Sequence, residues 1–351
     1  MKELKHKEII EKLTLEEKAS LMSGKDFWQT QEIERLGIPS IFLADGPNGI
    51  RKQMAAADHL GLNESLKATC FPTSCSLAST WNQELCLEEG KLLSKEAKKQ
   101  KVNILLGPGV NIKRDLRCGR NFEYYSEDPV LAGESAAAFI AGVQSQGVGT
   151  SMKHFALNNQ EVNRLSNNAI VDEQVCRELY LKQFEIAVRK AQPWTIMTSY
   201  NFINGVHSAE NKWLLSDVLR GEWGFEGAVM TDWGGGYRGA AIVSAGNDMI
   251  QPGGVDWYNS LIEAVNDGTL PVEDLDKCVT RILQLIVKTP SFRKYAHSDS
   301  PDLKAHAQIS RLAAAEGIIL LKHNGALPLV AGSDIAVFGT ASYDFIAGGT
   351  G

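Results

Sequence analysis

The stretch GFEGAVMTDWGGG, residues 224–236, places one acidic residue and one tryptophan between an apolar run and three glycines. The apolar run 228–230 predicts a short buried strand, and the glycines after Trp233 predict a loop that begins where the strand ends. An aspartate in such a loop can simply bind backbone N–H groups. Whether Asp232 also has a chemical role depends on the rest of the chain.

The same pattern, a short apolar run that ends on Gly, Pro or polar residues, recurs along the chain. Helical patterns separate these runs, and strands that alternate with helices predict a parallel sheet with crossover helices. At this length we predict an α/β fold, a (β/α)8 TIM-like barrel over residues 1–303, in preference to a doubly wound open sheet. The other runs are SIFLADGP (40–47), VNILLGPG (102–109), GTSMKHF (149–155), TIMTSYN (195–201) and NDMIQPGG (247–254).

Capping residues specify two helix starts. Thr14 and Glu17 have the spacing of a capping box, which predicts a helix that ends near Ser23. Asp172 is an N-cap candidate, and apolar residues then recur at three- or four-residue spacing as far as Ala191. This periodicity predicts one amphipathic helix after Asp172.

Polar, ionisable or aromatic residues follow the apolar runs where each predicted strand ends. In a parallel barrel these ends lie on one face, and that face carries the chemistry. Four sets of such residues at corresponding positions therefore predict a site. Lys153 could alternatively be the Schiff-base lysine of a barrel lyase, although neighbouring carboxylates and an adjacent histidine disfavour a neutral amine. The residues at the strand ends are Asp45, Lys153, His154, Tyr200, Asp232 and Trp233.

Composition and charge narrow the class of partner. The 36 basic and 42 acidic residues give a formal charge of −6 without long charged blocks, which disfavours nucleic acid or an anionic membrane as a partner. No apolar run is long enough for a membrane helix, and the charged N-terminus lacks a signal-peptide core. The six cysteines form no CxxC pair, so we expect reduced thiols, a cytoplasmic location and no metal site, even at Cys70 and Cys75.

The pattern changes near residue 300. Residues 304–332 predict a helix, an apolar run and a turn, which we interpret as a linker. DIAVFGT (334–340) predicts a new strand, so residues 333–351 are expected to be the truncated start of a C-terminal α/β sandwich domain. The glycines of AGGTG at 347–351 lack GxGxxG spacing, which disfavours a nucleotide site.

Several blocks together make the chain resemble glycoside hydrolase family 3, and specifically its β-glucosidase branch. They occur in the family's order and cover nearly the whole chain. The KHF segment lacks the histidine loop of the N-acetylglucosaminidase branch, which disfavours that branch. The blocks are LTLEEKASLMSG, ADGPNGIR, FPTSCSLASTWN, LGPGVNIKRDLRCGRNFEYYSEDP, SMKHFALNNQEVNR, MTSYNFINGVHSAENKWLL, GFEGAVMTDWG and GNDMIQPG.

The resemblance implies a role for each matching residue. Asp232 would be the catalytic nucleophile, Trp233 a wall against the sugar ring, and Met197 part of the pocket lining. Arg51 would brace the Asp45 loop. Leu116 stands where the family usually has the proline of RDP, which leaves the backbone before Arg120 freer. The residues expected to bind the sugar are Asp45, Arg120, Lys153, His154, Arg164 and Tyr200.

These residue types suit a sugar, because each hydroxyl both donates and accepts hydrogen bonds. Asp45 can accept from two neighbouring hydroxyls, while Arg120, Lys153 and His154 donate. We also expect the cations to lower the pKa of Asp232 and keep it ionised. Taken alone, Arg120 could instead be a surface ion pair and His154 a buried, satisfied histidine.

The implied activity is that of a retaining β-glucosidase acting on terminal non-reducing β-D-glucosyl residues of a glucoside or oligosaccharide through a glycosyl-aspartate. No metal or organic cofactor is implied, and homo-oligomerisation is left open. No glutamate can be assigned as acid/base by motif, so that residue is expected in the missing domain. The alternatives are a β-xylosidase or arabinosidase of the same family and a sugar-binding barrel without turnover.

Overall fold

The computed structural model describes residues 3–53, 63–293, 295 and 298–344. Five strands form the central sheet in the order β1-β2-β3-β5-β8, and the other three form a small separate sheet. The strands are β1 (Leu43–Ala44), β2 (Ile104–Leu105), β3 (Gly149–Phe155), β4 (Asn168–Ala169), β5 (Thr195–Thr198), β6 (Phe202–Ile203), β7 (Val206–His207) and β8 (Ala228–Met230).

Helices lie before, between and after these strands. The α-helices are α1 (Glu3–Ile10), α2 (Leu15–Met22), α3 (Ser74–Ser79), α4 (Gln83–Lys99), α5 (Pro129–Ser145), α6 (Glu173–Val175), α7 (Lys182–Ala191), α8 (Gly239–Ala245), α9 (Val255–Asn266), α10 (Val272–Ile286) and α11 (Leu303–Gly317). Single 3₁₀ turns cover Glu34–Leu36, Ser208–Glu210 and Thr340–Ser342, and π-helical segments cover Cys176–Tyr180 and Trp213–Glu222. Within the described ranges, no helix is both long and apolar enough to cross a membrane.

The central sheet is parallel throughout, with Leu43 opposite Ile104 at one end and Met197 opposite Met230 at the other. Isolated parallel bridges continue it from Met230 to Met249 and from Ile250 to Ser23. Antiparallel bridges, which include one between Gln29 and Phe42, then lead back to the residue before β1. The predicted α/β barrel-type fold is therefore confirmed, with an antiparallel link in place of one regular βα repeat.

Strands β1 and β2 are only two residues long. Each is followed within a few residues by a proline, Pro47 after β1 and Pro108 after β2, and proline has no N–H for a sheet hydrogen bond. By contrast, all seven residues of β3 are buried, as expected of a strand covered on both faces. The short strands end early and leave their loops free to form the site.

Glycines allow helices α4 and α5 to pack very closely. A Cβ atom on Gly142 would lie 2.1 Å from the Leu87 carbonyl oxygen, and one on Gly90 would lie 2.5 Å from the Phe139 carbonyl oxygen. Neither distance is compatible with a side chain, so the two backbones meet only because both positions are glycine.

Both predicted helix starts are confirmed. Thr14 and Glu17 form the reciprocal capping box, and the Asp172 side chain accepts a hydrogen bond from Val175 N. The amphipathic pattern after Asp172 is helical as far as Ala191, but a π-helical segment at 176–180 interrupts the α-helix. A π-helical turn contains one residue more than an α-helical turn, and a sequence periodicity of 3.6 residues does not predict it.

Helix α11 is confirmed within the predicted linker, but the strand predicted at 334–340 is wrong. Residues 331–339 are exposed and form no strand. A strand needs a neighbouring strand for its backbone hydrogen bonds, and the described residues provide none beside this segment. Leu320, Leu321 and Leu329 are also exposed. The predicted boundaries at 303 and 332 stay predictions, and the AGGTG segment lies outside the described residues.

Candidate active site

The carboxyl ends of the parallel strands surround one pocket of about 220 Å³. Asp45 follows β1, Lys153 and His154 lie in β3, and Asp232 follows β8. Arg120 and Arg164 come from the long loops after β2 and β3. All nine residues predicted for the site line this pocket, and they are Asp45, Arg120, Lys153, His154, Arg164, Met197, Tyr200, Asp232 and Trp233.

The two carboxylate oxygens of Asp232 have different environments. Oδ1 accepts a hydrogen bond from Trp233 N at 2.7 Å, as expected of a loop aspartate. Oδ2 is buried, has no hydrogen-bond partner among the described residues, and lies 3.6 Å from His154 Nε2. One oxygen therefore fixes the carboxylate and the other keeps its lone pairs available in the pocket.

The expected direction of the Asp232 pKa shift is wrong. Burial raises the pKa of Asp232 above its usual value, because it removes water from the charged form. Arg120 and Lys153 act in the expected direction, but they offset only part of this effect. The loss of hydration thus exceeds the attraction of the two cations in this pocket.

Two carboxylates and two cations form the floor of the pocket. Lys153 Nζ lies 3.5 Å from Asp45 Oδ1 and 3.5 Å from Glu123 Oε2. Arg120 pairs through Nε with the other oxygen of Glu123. Lys153 is thus a member of an ion-pair network, whereas a Schiff-base lysine needs a desolvated site without carboxylate partners.

His154 is held as a neutral imidazole by its neighbours. Its Nε2 lies 2.8 Å from Arg120 Nη2, and its Nδ1 lies 3.0 Å from the Tyr124 hydroxyl. Because a guanidinium can only donate, Nε2 must accept, and the network assigns the proton to Nδ1. Burial lowers the pKa of His154 well below its usual value, and the nearby cations Arg120, Lys153 and Arg164 lower it further. His154 is therefore a satisfied buried histidine that lines the pocket. The expectation that it donates to the sugar is wrong, because Nε2 accepts from Arg120 and the Nδ1 proton goes to Tyr124.

Aromatic contacts fix one wall of the pocket. Trp233 donates through Nε1 to the Phe27 carbonyl at 2.8 Å and packs against Trp28 at 5.3 Å between ring centroids. The Tyr200 hydroxyl donates to the Trp233 carbonyl at 2.8 Å. The guanidinium of Arg164 lies over the Tyr200 ring at 4.7 Å. These contacts position Trp233 before any ligand arrives.

The loops that carry Asp45 and Arg120 are braced from within. Arg51 N donates to the Asp45 carbonyl at 3.0 Å, and Arg51 Nη1 lies 3.9 Å from Asp45 Oδ2. Leu116 is 90% exposed, yet Arg120 is fixed by its contacts with Glu123 and His154. The missing proline at position 116 therefore does not leave the Arg120 side chain unsupported.

The sequence interpretation missed three residues that line the pocket and one behind it. Gly119, Phe122 and Glu123 line the pocket, and the Tyr124 hydroxyl accepts the proton that the network assigns to His154 Nδ1. All four lie within the block GRNFEYYSEDP, residues 119–129. Glu123 follows Arg120 by three residues, and this spacing could have signalled the ion pair.

Comparisons with known proteins agree with this geometry. The glycosyl hydrolase family 3 N terminal domain matches residues 9–285, so the chain belongs to that family. It is 47% identical over 337 residues to the thermostable beta-glucosidase B of Acetivibrio thermocellus, which covers 95% of this chain and 44% of that protein. It is 48% identical over 326 residues to an exo-alpha-(1->6)-L-arabinopyranosidase of Bifidobacterium longum, which covers 92% of this chain and 43% of that protein.

A solved structure shows the same fold. Beta-glucosidase 3B from Thermotoga neapolitana, in complex with alpha-D-glucose, superposes with a TM-score of 0.93 at 46% identity. The match covers 99% of this chain and 51% of that one. The chain therefore spans about half the length of that structure and less than half of the two curated relatives.

Proposed function

We propose that this chain is the nucleophile-bearing domain of a retaining β-glucosidase, with Asp232 as the nucleophile. The observation that carries the proposal is Asp232 Oδ2, which is buried without a hydrogen-bond partner in a pocket lined by Arg120, Lys153 and Trp233. A covalent mechanism needs one such fixed but available carboxylate oxygen. The similarity to the two beta-glucosidases described above supports the substrate class.

In the proposed reaction, Asp232 Oδ2 attacks the anomeric carbon and the bond to the leaving oxygen breaks. The leaving oxygen takes a proton from an acid, and water then cleaves the glycosyl-aspartate to release the sugar and restore Asp232. Of the other carboxylates that line the pocket, Asp45 and Glu123 are both ion-paired with Lys153. Neither is suited to be the proton donor, so we propose that the acid lies in a second domain.

Seven other pocket residues have a proposed role in sugar binding. Asp45 accepts from hydroxyls, whereas Lys153 and Arg120 donate to them, and such charged hydrogen bonds contribute about 1.5–3 kcal/mol each. Trp233 stacks against the apolar face of the ring. Met197 fills the floor beside it, and Arg164 and Tyr200 close the rim.

A second candidate is an α-L-arabinopyranosidase, favoured by the 48% identity to the Bifidobacterium longum protein. An α-L-arabinopyranoside lacks the hydroxymethyl group of a β-D-glucoside and has the opposite configuration at C4. The space beyond C5 and the contacts of the 4-hydroxyl therefore decide between the two sugars.

All six cysteines are free thiols, which supports our proposal of a reducing, cytoplasmic location.

Calorimetry with the 351-residue chain tests the sugar site. We expect weak glucose binding that Asp45→Ala abolishes, while the exposed Asp217→Ala leaves it unchanged, with circular dichroism spectra that match wild type. Unchanged glucose affinity in folded Asp45→Ala would remove Asp45 from the site. Tighter binding of L-arabinopyranose than of glucose would favour the second candidate.

A further inference from the structure

Glu123 is a buried carboxylate that the proposed mechanism does not use. Glu123 belongs to the pocket lining, but its side chain has no surface exposed to solvent. Its contacts are with the two cations of the floor: Arg120 pairs with Oε1, and Lys153 Nζ lies 3.5 Å from Oε2. Any influence of Glu123 on a ligand must therefore pass through these cations.

The orientation of Arg120 depends on two fixed contacts. Its Nε donates to Glu123, and its Nη2 lies 2.8 Å from the acceptor Nε2 of His154. These contacts use two edges of a planar guanidinium, and Nη1 makes no hydrogen bond to the described part of the chain. Nη1 is thus left for a ligand, in a direction that Glu123 and His154 define.

The position of Lys153 depends on two carboxylates. Asp45 and Glu123 each lie 3.5 Å from Nζ, and the Lys153 side chain is only 3% exposed. A lysine ammonium on a flexible four-carbon stem is placed accurately only when its partners fix it. Asp45 is itself expected to bind the sugar, so Glu123 is the partner that remains dedicated to Lys153.

Glu123 also affects the charge balance around Asp232. Although burial alone would raise the pKa of Glu123, Arg120 and Lys153 lower it below its usual value, so Glu123 is an anion. The same two cations are the ones that oppose the effect of burial on Asp232. The other groups of the pocket are the anion Asp45, the cation Arg164, the neutral His154 and the hydroxyl of Tyr200.

We propose that Glu123 is a positioning residue of the sugar site: its carboxylate holds Arg120 and Lys153 where they bind the sugar and offsets their charge beside Asp232. The proposal rests on the function proposed above. It separates two effects of Glu123, geometry and charge, which different substitutions alter. Glu123→Gln keeps the shape and removes the charge, whereas Glu123→Asp keeps the charge and withdraws it by one methylene.

The test uses two readouts on the 351-residue chain. The first is the glucose dissociation constant from calorimetry. The second is the pH dependence of the rate of labelling by 2,4-dinitrophenyl 2-deoxy-2-fluoro-β-D-glucoside. Because its leaving group departs without an acid, the fall in labelling rate at low pH (the acidic limb) reports protonation of Asp232. Glu185→Gln is the matched control, because Glu185 pairs with Lys182 and Arg189 on a surface helix.

We expect Glu123→Gln to weaken glucose binding by about tenfold or more, the change that accompanies loss of a hydrogen bond to a charged group. Its acidic limb should move to lower pH, because Arg120 and Lys153 then stabilise ionised Asp232 more strongly. Glu123→Asp should weaken glucose binding but keep the acidic limb of wild type. Glu185→Gln should match wild type in both readouts.

A folded Glu123→Gln variant with the glucose affinity and the acidic limb of wild type would overturn the proposal. A weaker glucose affinity with an unchanged acidic limb would overturn the part of the proposal that concerns charge. Should Glu123→Gln fail to fold, Glu123→Asp decides, and an unchanged glucose affinity there would overturn the positioning role. Absence of both glucose binding and labelling in a wild-type protein extended by the proposed second domain would instead refute the proposed function. The two failures are therefore distinguishable.

Discussion

Replacing Asp248 with asparagine should destabilise the protein by about 3–5 kcal/mol, the cost of breaking a buried ion pair by removing one partner. The Asp248 side chain has no exposed surface and accepts from Arg220 Nη2 at 2.7 Å and from Arg281 Nη1 at 3.0 Å. It also accepts from Val229 N at 2.7 Å, which ties it to strand β8, three residues before Asp232. An amide has one acceptor oxygen where the carboxylate has two, so one of these donors would face an NH₂ group.

Urea denaturation followed by circular dichroism measures this loss as a lower midpoint at pH 7. Asp217→Asn is the matched control, because Asp217 is exposed, and it should leave the midpoint close to wild type. A decrease of less than about 1 kcal/mol for Asp248→Asn would refute the reasoning, since it would mean that two guanidinium groups lose their anion at almost no cost.

Three further predictions concern stability and local order. Asp232→Asn should raise the urea midpoint at pH 7, because the folded pKa of Asp232 lies above its ordinary value of 3.8 and the ionised form therefore lowers stability at high pH. The gain in stability should vanish as the pH falls to 3.8. A gain that does not depend on pH would contradict burial of the charge as its cause. His306→Ala removes the buried 2.5 Å contact between His306 Nδ1 and Glu96 Oε1, so amide hydrogen exchange should become faster in helix α11 but not in β3. Equal protection of α11 in wild type and in His306→Ala would show that this contact does not hold the helix. Gly142→Ala would place a Cβ 2.1 Å from the Leu87 carbonyl oxygen and should lower stability by about 1–3 kcal/mol, a loss that a thermal melt identical to wild type would exclude.

The strand ends were predictable from sequence because each site residue follows a short apolar run. Asp45, Lys153 and Asp232 could therefore be brought to one face by parallel topology alone, without knowledge of any distance. Helix starts at Thr14 and Asp172 were equally accessible, because a cap is a local interaction between residues two or three apart. The family resemblance then supplied Arg120 and Arg164, which lie in loops with no periodic signal.

Features that depend on distant partners were not predictable. The bridge between Ile250 and Ser23, which helps to close the sheet, joins residues far apart in the chain. The net pKa shift of Asp232 depends on how far burial outweighs Arg120 and Lys153, and composition does not encode that balance. Residues 334–340 have strand-like composition, yet a strand also needs a neighbour to receive its hydrogen bonds.

The central claim is that Asp232 is the carboxylate that attacks the sugar. Incubation of the chain with 2,4-dinitrophenyl 2-deoxy-2-fluoro-β-D-glucoside, followed by peptide mass spectrometry, tests it directly, because the fluorine slows hydrolysis of the adduct. The same labelling on a protein extended by the proposed second domain is the control, because that domain could contribute to the pocket. We predict one label on the peptide that contains VMTDWGG, residues 229–235, and its loss in Asp232→Asn. A label on another carboxylate, or an unlabelled Asp232 in the extended protein, would contradict the account.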